Sequence, residues 1–269
     1  MPGMKENELN GLLKVMEEVA RGEYSDRIME FTRPGNDEIL RRLAEAVGMM
    51  MVKVEAREHR LEGMVEELAE LNERLRRTIV RTVGAMARAL AARDAYTVGH
   101  ADRVARYAVR LARRVGLDDQ ETERVRVAAE LHDIGKIGFS DKVFNNPDTR
   151  PSPEILEEIR AHPAIAGDIL GGLDFLGPSL DYVLAHHERL DGQGYPRGLQ
   201  GEEIPMGARI IAVADCFDAM TTDRSYQQGM RAGEAAGILR KLAGPSLDPA
   251  LVEAFIAEIE ENGMETSSD

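Results

Sequence analysis

From Gly35 to Asn146 the chain contains no proline, and within that stretch apolar residues fall at alternating steps of three and four. Leu40, Leu43, Val47, Met50, Val54, Leu61, Met64, Leu68, Leu71 and Leu75 share this register, and only Arg57 interrupts it. A stripe sustained over about five heptads predicts a coiled-coil seam rather than the side of a globule. As one helix it would be about 50 Å long at about 1.5 Å per residue. After Leu75 the register fails, because Thr78 and Thr82 would occupy the seam. Ile79, Val83, Met86 and Leu90 restore a stripe only after an extra step of four. Such a stutter locally unwinds a coiled coil, and it marks a strained junction.

Aromatic residues divide the chain at about the same place. None occurs between Thr32 and Ala95, whereas nine of the thirteen methionines precede position 90. The first half therefore reads as elongated helix and the second as a compact globule. With no Trp and 4% aromatics, an all-α fold is expected over a β-sandwich. The 269 residues, 43% of them hydrophobic, suffice for one large domain or two modest ones. A formal net charge of −14 argues against a general nucleic-acid binder, which needs a basic face, but a bound metal would still allow a small anionic ligand. No stretch approaches the roughly 18 apolar residues of a membrane span, and no signal peptide is expected. The single cysteine, Cys216, excludes a disulfide framework or a multi-cysteine zinc module. A cytoplasmic location fits best, with membrane tethering open if the native protein has further upstream sequence. Glu258 to Asp269 lacks apolar periodicity after Ile259 and reads as a frayed or disordered tail.

Upstream of the seam, Leu9, Leu12, Leu13, Met16 and Val19 predict a shorter amphipathic helix ending near Gly22. A connector follows to Pro34-Gly35, and Asn36-Asp37-Glu38 reads as the next helix start. Helix, Ala20-Arg21-Gly22-Glu23-Tyr24, connector, Asp37-Glu38-Ile39 and second helix together resemble a HAMP domain, a parallel dimeric four-helix relay. The likeness covers about Leu9 to Ala56. A plain dimerising helical hairpin remains the alternative.

Five of the six histidines lie in the second half: His100, His132, His162, His186 and His187. His59, among Glu55, Arg57, Glu58 and Arg60, reads as a solvated residue. Asp133 follows His132, and Asp215 closes Ala212-Val213-Ala214-Asp215. Successive clusters are separated by 24 to 32 residues, enough for a helix, a turn and a return helix. All could converge at one end of a bundle. A single histidine is more often a surface or hydrogen-bonded core residue than a ligand, but this many at hairpin intervals weakens that reading. Imidazoles with carboxylates suit divalent transition metals. The set is too large for one tetrahedral ion and suits two metals about 3.5–4 Å apart.

Tyr96-Thr97-x-Gly99-His100-x-x-Arg103-Val104, followed by His132-Asp133-Ile134-Gly135-Lys136, resembles an HD-domain phosphohydrolase. His186-His187-Glu188-Arg189-Leu190-Asp191-Gly192-Gln193-Gly194-Tyr195-Pro196 narrows the likeness. With Ala214-Asp215-x-Phe217-Asp218-Ala219-Met220-Thr221 and Arg224-Ser225-Tyr226, it is similar to the HD-GYP cyclic di-GMP phosphodiesterases over about Ile79 to Ala257. The resemblance implies an HD helical bundle holding iron or manganese. His100, His132, Asp133 and Asp215 would hold one metal; His162, His186 and His187 would hold the second, with Asp133 bridging. Hydroxide between the metals would attack the phosphodiester in line. Asp133 and Lys136 would be catalytic, Lys136 as phosphate contact or proton donor. Gly194 and Tyr195 would approach the substrate, Asp218 would contact guanine, and Arg224 a phosphate. Phe217 and Met220 read as core. The Asp191–Pro196 loop would also be a surface for partners, GGDEF-type cyclases among them.

Departures from the family pattern bear on substrate affinity and metal count. Tyr96 stands where some members have a glutamate for a third metal, so two are expected. Ser225, Tyr226 and Gln227 replace Pro, Tyr and a basic residue, and Phe144-Asn145-Asn146-Pro147 replaces a lysine-proline pair. The implied organisation is a HAMP-like region at 1–56, a coiled-coil helix at 57–80, an HD-GYP domain at 81–257 and a tail at 258–269, in a parallel homodimer. The implied activity is hydrolysis of cyclic di-GMP to pGpG, with GMP as a further product. The alternatives are an inactive receptor for cyclic di-GMP or a protein partner, and a phosphohydrolase of another nucleotide, related cyclic dinucleotides included.

Overall fold

The computed structural model describes residues 2–91, 99–144, 151–223 and 228–263, and among them every regular element is helical, as expected. The chain divides into two compact units, Met1–Leu75 and Arg76–Asp269. None of the helices described is long and apolar enough to cross a membrane.

The first unit contains α1 (Pro2–Ala20), a 3-10 turn (Asp26–Glu30) and most of α2 (Glu38–Ala91), which runs unbroken through Thr78. Asp37 starts α2 by accepting the Ile39 N–H at 3.0 Å, satisfying a donor that the first helical turn leaves free. Leu12, Val15 and Ile28 pack with Leu40, Ala44, Val47 and Met51. Within this unit the stripe read from sequence is used only in part. The core takes Leu40 and Val47 but then Ala44 and Met51, leaving Leu43 at 45% and Met50 at 48% exposure. The physical reason is size. Small residues at Ala44 and Gly48 let the turn approach, with Ile28 lying against Gly48. The apolar surface of α2 is thus wider than one seam. Beyond it, Leu61, Leu68 and Leu75 are more than half exposed.

The second unit uses the end of α2 as a wall. Val80 and Ala87 are buried and Val83 is partly so, while Met86 stays exposed. The restored stripe is therefore shifted toward smaller residues. Then follow α3 (His100–Arg114), α4 (Asp119–Leu131), a 3-10 turn (Ile134–Gly138), the short α5 (Asp141–Phe144), α6 (Pro153–Leu170), α7 (Pro178–Ala185), α8 (Met206–Thr221), α9 (Ala232–Leu242) and α10 (Pro249–Asn262). The side chains of Asp118, Ser152 and Asp248 cap α4, α6 and α10 at their N-termini. Tyr107, Phe217 and Phe255 meet edge to face, with centroids 5.0 to 5.9 Å apart. Phe217 is core, as read, and Met220 packs against it.

The tail expected to fray from Glu258 is helix through Asn262. Arg110 and Arg114 of α3 donate to Glu258 at 3.0 Å, Arg114 also grips Glu261, and Ile259 is buried. The partners of those glutamates lie far away in sequence, which is why local periodicity missed the anchor. Positions from 264 onward lie outside the described residues.

Candidate metal centre

Helix ends place most of the ligands. His100 opens α3, and His132 follows the last residue of α4 with Asp133 behind it. His186 follows α7 with His187 next, His162 lies inside α6, and Asp215 lies on α8. Ring centroids are 5.4 Å apart for His100–His132, 5.0 Å for His132–His186 and 5.0 Å for His162–His187. Potential ligand atoms within 4.8 Å of one another form three sets: His162, His186 and His187; His100, His132 and Asp215; and His132, Asp133 and His186. All seven residues nominated as ligands thus come together. His59 stays on the surface of α2, with its side chain 92% exposed.

The backbone decides which ring nitrogen each histidine presents. His132 Nδ1 donates to Ala129 O at 2.8 Å and His186 Nδ1 to Val183 O at 2.6 Å. Both carbonyls lie in a last helical turn, where no intrahelical donor reaches them. His162 is inside a helix but uses the same device. Its Nδ1 donates to Ile159 O at 2.7 Å, the carbonyl left open because Pro163 has no N–H to offer. A carbonyl only accepts, so each Nδ1 carries the proton and each Nε2 presents a lone pair. His162 Nε2 and His186 Nε2 then face each other at 3.3 Å with no proton between them. His132 Nε2 is buried without a hydrogen-bond partner. Converging lone pairs beside two carboxylates are complementary to cations, so the residues present fit a metal pair.

The electrostatics agree. Burial drives His186 and His162 below the ordinary histidine value and takes His187 down to about 4, keeping them neutral as ligands must be. His100 differs: burial opposes its charge, but hydrogen bonds to Asp215 and Asp218 outweigh it and lift it to about 9, so without metal it is a cation that must release a proton to serve as a ligand. Burial would raise Asp133 and Asp215, yet the surrounding His132, Lys136 and His100 hold both far below the usual carboxylate range. Burial pushes the Cys216 thiol up to about 11, which disfavours a thiolate nucleophile.

Other nominated residues sit differently from expectation. Lys136 Nζ donates to Asp133 Oδ2 at 2.6 Å. Gly135 precedes it because any Cβ there would overlap the His162 carbonyl oxygen. Asp218 is only 1% exposed, and His100 Nδ1 (2.7 Å) and Arg103 Nε (2.6 Å) engage its two oxygens. The reading of Asp218 as a guanine contact is therefore corrected: its acceptor sites are used inside the protein. Gly194 is also reassigned. A side chain there would collide with the backbone of Glu188 and Arg189, so close loop packing demands the glycine. Tyr195 does border the centre, its ring tilted 31° to His187 with centroids 4.9 Å apart. Arg224, Tyr96, Ser225 to Gln227 and Asn145 to Pro147 lie outside the described residues.

Sequence reasoning gave no role to three residues. Glu188 is buried and accepts the backbone N–H groups of Arg197 (2.7 Å) and Leu199 (3.0 Å), clasping the loop that carries Tyr195. Arg160 lies over the Tyr195 ring, 5.9 Å from its centroid, and is exposed at the rim. Arg103 is the partner of Asp218. Glu188 and Arg103 stood inside the quoted motifs, but only geometry separates an anchor from a ligand.

A family described as "HD domain" matches residues 84–251, more than half of the chain. The chain belongs to the HD-domain family. A cyclic di-GMP phosphodiesterase of Thermotoga maritima is 39% identical over 159 residues, 58% of this chain and 43% of that protein. A 3'3'-cGAMP-specific phosphodiesterase of Vibrio cholerae is 38% identical over 159 residues, 59% of this chain and 34% of that protein. The HD-domain chain therefore spans less than half the length of these curated relatives. Among solved structures, a cyclic GMP-AMP-specific phosphodiesterase of V. cholerae superposes with a TM-score of 0.55 at 20% identity. It covers 70% of this chain and 51% of that one, a likeness of fold.

Proposed function

We propose that the second unit is a metal-dependent phosphodiesterase that hydrolyses cyclic di-GMP to linear pGpG and onward to GMP. The observation that carries this reading is the set of Nε2 lone pairs of His132, His162 and His186, stripped of donors and turned toward one another. His100, His132, Asp133 and Asp215 would hold one divalent ion, and His162, His186 and His187 a second, with Asp133 shared. Nitrogen and carboxylate donors accommodate iron or manganese, the ions that the family resemblance implies. Bound there, such a pair supplies Lewis-acid polarisation of a phosphodiester and an activated water nucleophile.

The chain's own groups do the rest. Lys136 holds a proton beside Asp133, where it can contact a phosphate oxygen or protonate the leaving alkoxide. Tyr195 offers a ring face beside His187 for a nucleobase, with Arg160 above it as a cation for the phosphates. Arg224 is proposed as a further phosphate contact. The outer edge of the loop, with Gln193, Pro196 and Arg197 exposed, is the proposed contact for a GGDEF-type partner. Support for cyclic di-GMP comes from the names of relatives, which divide between cyclic di-GMP and 3'3'-cGAMP.

Residues 1–56 are proposed as a HAMP-like relay and 57–80 as a parallel coiled coil that pairs two chains. Its support is the run of exposed Leu61, Leu68, Leu71 and Leu75. Protein loaded anaerobically with Fe²⁺ or Mn²⁺ and supplied with each cyclic dinucleotide tests the activity. pGpG that disappears in Asp133→Ala is expected. Binding of cyclic di-GMP with two metals per chain but no product would contradict the enzyme and leave a receptor.

A further inference from the structure

The centre orients four of its histidines through Nδ1, and one of the four differs in kind. His132, His162 and His186 lean on backbone carbonyls, which no side-chain substitution can remove. His100 is the first residue of α3. Here the described acceptor for Nδ1 comes from another element. It comes from α8, whose Asp215 and Asp218 lie one turn apart on one face. Asp215 Oδ1 lies 3.2 Å from His100 Nε2, and Asp218 Oδ2 lies 2.7 Å from His100 Nδ1. One helix thus supplies a carboxylate to each nitrogen of the same ring. Arg103, one turn beyond His100, places Nε at 2.6 Å and Nη2 at 3.1 Å on the two Asp218 oxygens. That fork fixes the plane of the buried carboxylate as well as its charge.

We infer that Asp218, clamped by Arg103, is a positioning residue that sets the affinity of the metal position built on His100 and Asp215. The inference rests on the metal reading above. A carboxylate behind an imidazole fixes its tautomer and raises its basicity more than a carbonyl does, and loss of such a partner costs about 10–100-fold in metal affinity. The two metal positions are therefore unequal. The one on His162, His186 and His187 is oriented mainly by backbone, whereas the one on His100 depends on a side-chain pair that substitution can reach.

The test is Mn²⁺ titration of the metal-stripped full chain by equilibrium dialysis, with electron paramagnetic resonance to separate coupled pairs from isolated ions. Wild type is expected to bind two ions. Asp218→Asn should keep one at wild-type affinity and weaken the other by about 10–100-fold, with loss of the coupled signal at limiting Mn²⁺. Arg103→Gln, at the partly exposed end of the clamp, should move the same ion in the same direction and carries the test if Asp218→Asn does not fold. In a His100→Ala background, Asp218→Asn should change nothing further, which a mere packing role would not give. Unchanged affinities, equal weakening of both ions, or additive loss in the His100→Ala background would overturn the inference. Fewer than two ions in wild type would overturn the metal reading and the inference with it.

Discussion

The two units are incomplete in opposite ways. In Arg76–Asp269 the core closes on itself, and what it leaves unsatisfied is polar: buried imidazole lone pairs beside carboxylates. In Met1–Leu75 what stays uncovered among the described residues is apolar: Leu61, Leu68, Leu71 and Leu75, each more than half exposed. On the proposed function, cations would meet the first deficit and the matching face of a second copy would meet the second. Chemistry and pairing should therefore respond to different substitutions.

The strongest way to break that separation is Asp133→Ala. It should lower cyclic dinucleotide hydrolysis by roughly three orders of magnitude or more and remove metal, with the oligomeric state in sedimentation unchanged. The converse is Leu61→Ala with Leu68→Ala and Leu75→Ala. At about 1.5–3 kcal/mol for each buried leucine, the six leucines lost from a pair of chains should weaken dimerisation by on the order of 10 kcal/mol, while metal content per chain stays at the wild-type level. Loss of metal in the triple variant, or an unchanged mass, would defeat the comparison.

Proton linkage sharpens it. His162, His186 and His187 are held neutral by burial, so the unfolded chain binds more protons than the folded one below the ordinary histidine value. Metal-free protein should lose stability as pH falls from about 6.5 toward 4, on the order of 3 kcal/mol through His187 alone. His100 acts in the opposite sense. Lifted to about 9, it stabilises the folded state below about 6.5 and that contribution fades as pH rises through 9. Thermal melts of the stripped protein should thus peak near neutrality, and metal should flatten the profile. The smallest effect is expected from Glu188→Gln. Loosening the loop under Tyr195 should cost about 1–3 kcal/mol of stability and raise KM, with two metals retained.

Much of the site was legible because its ligands are titratable residues in short motifs at hairpin spacing. All seven proposed ligands converge, and Lys136 and Tyr195 lie beside them. Asp218 and Gly194 were misread for one reason: a motif gives residue type and order but not which atom faces inward. The carboxylate three residues after Asp215 could face substrate or His100, and only the fold selects. In the first unit the helical character of the stripe was legible, since α2 runs as one helix over it. Its width was not, because Ala44 and Gly48 carry little hydrophobic signal yet admit the closest packing. The anchor on Glu258 escaped because its arginines stand on α3.

The central claim is that the histidine lone pairs form a two-metal centre, and the most direct measurement is the metal stoichiometry of anaerobically reconstituted protein with Mössbauer spectra of the iron. The account predicts two Fe²⁺ per chain in inequivalent environments, with both signals altered in His186→Ala. One iron or none per chain, or two that persist unchanged in His186→Ala, would contradict it.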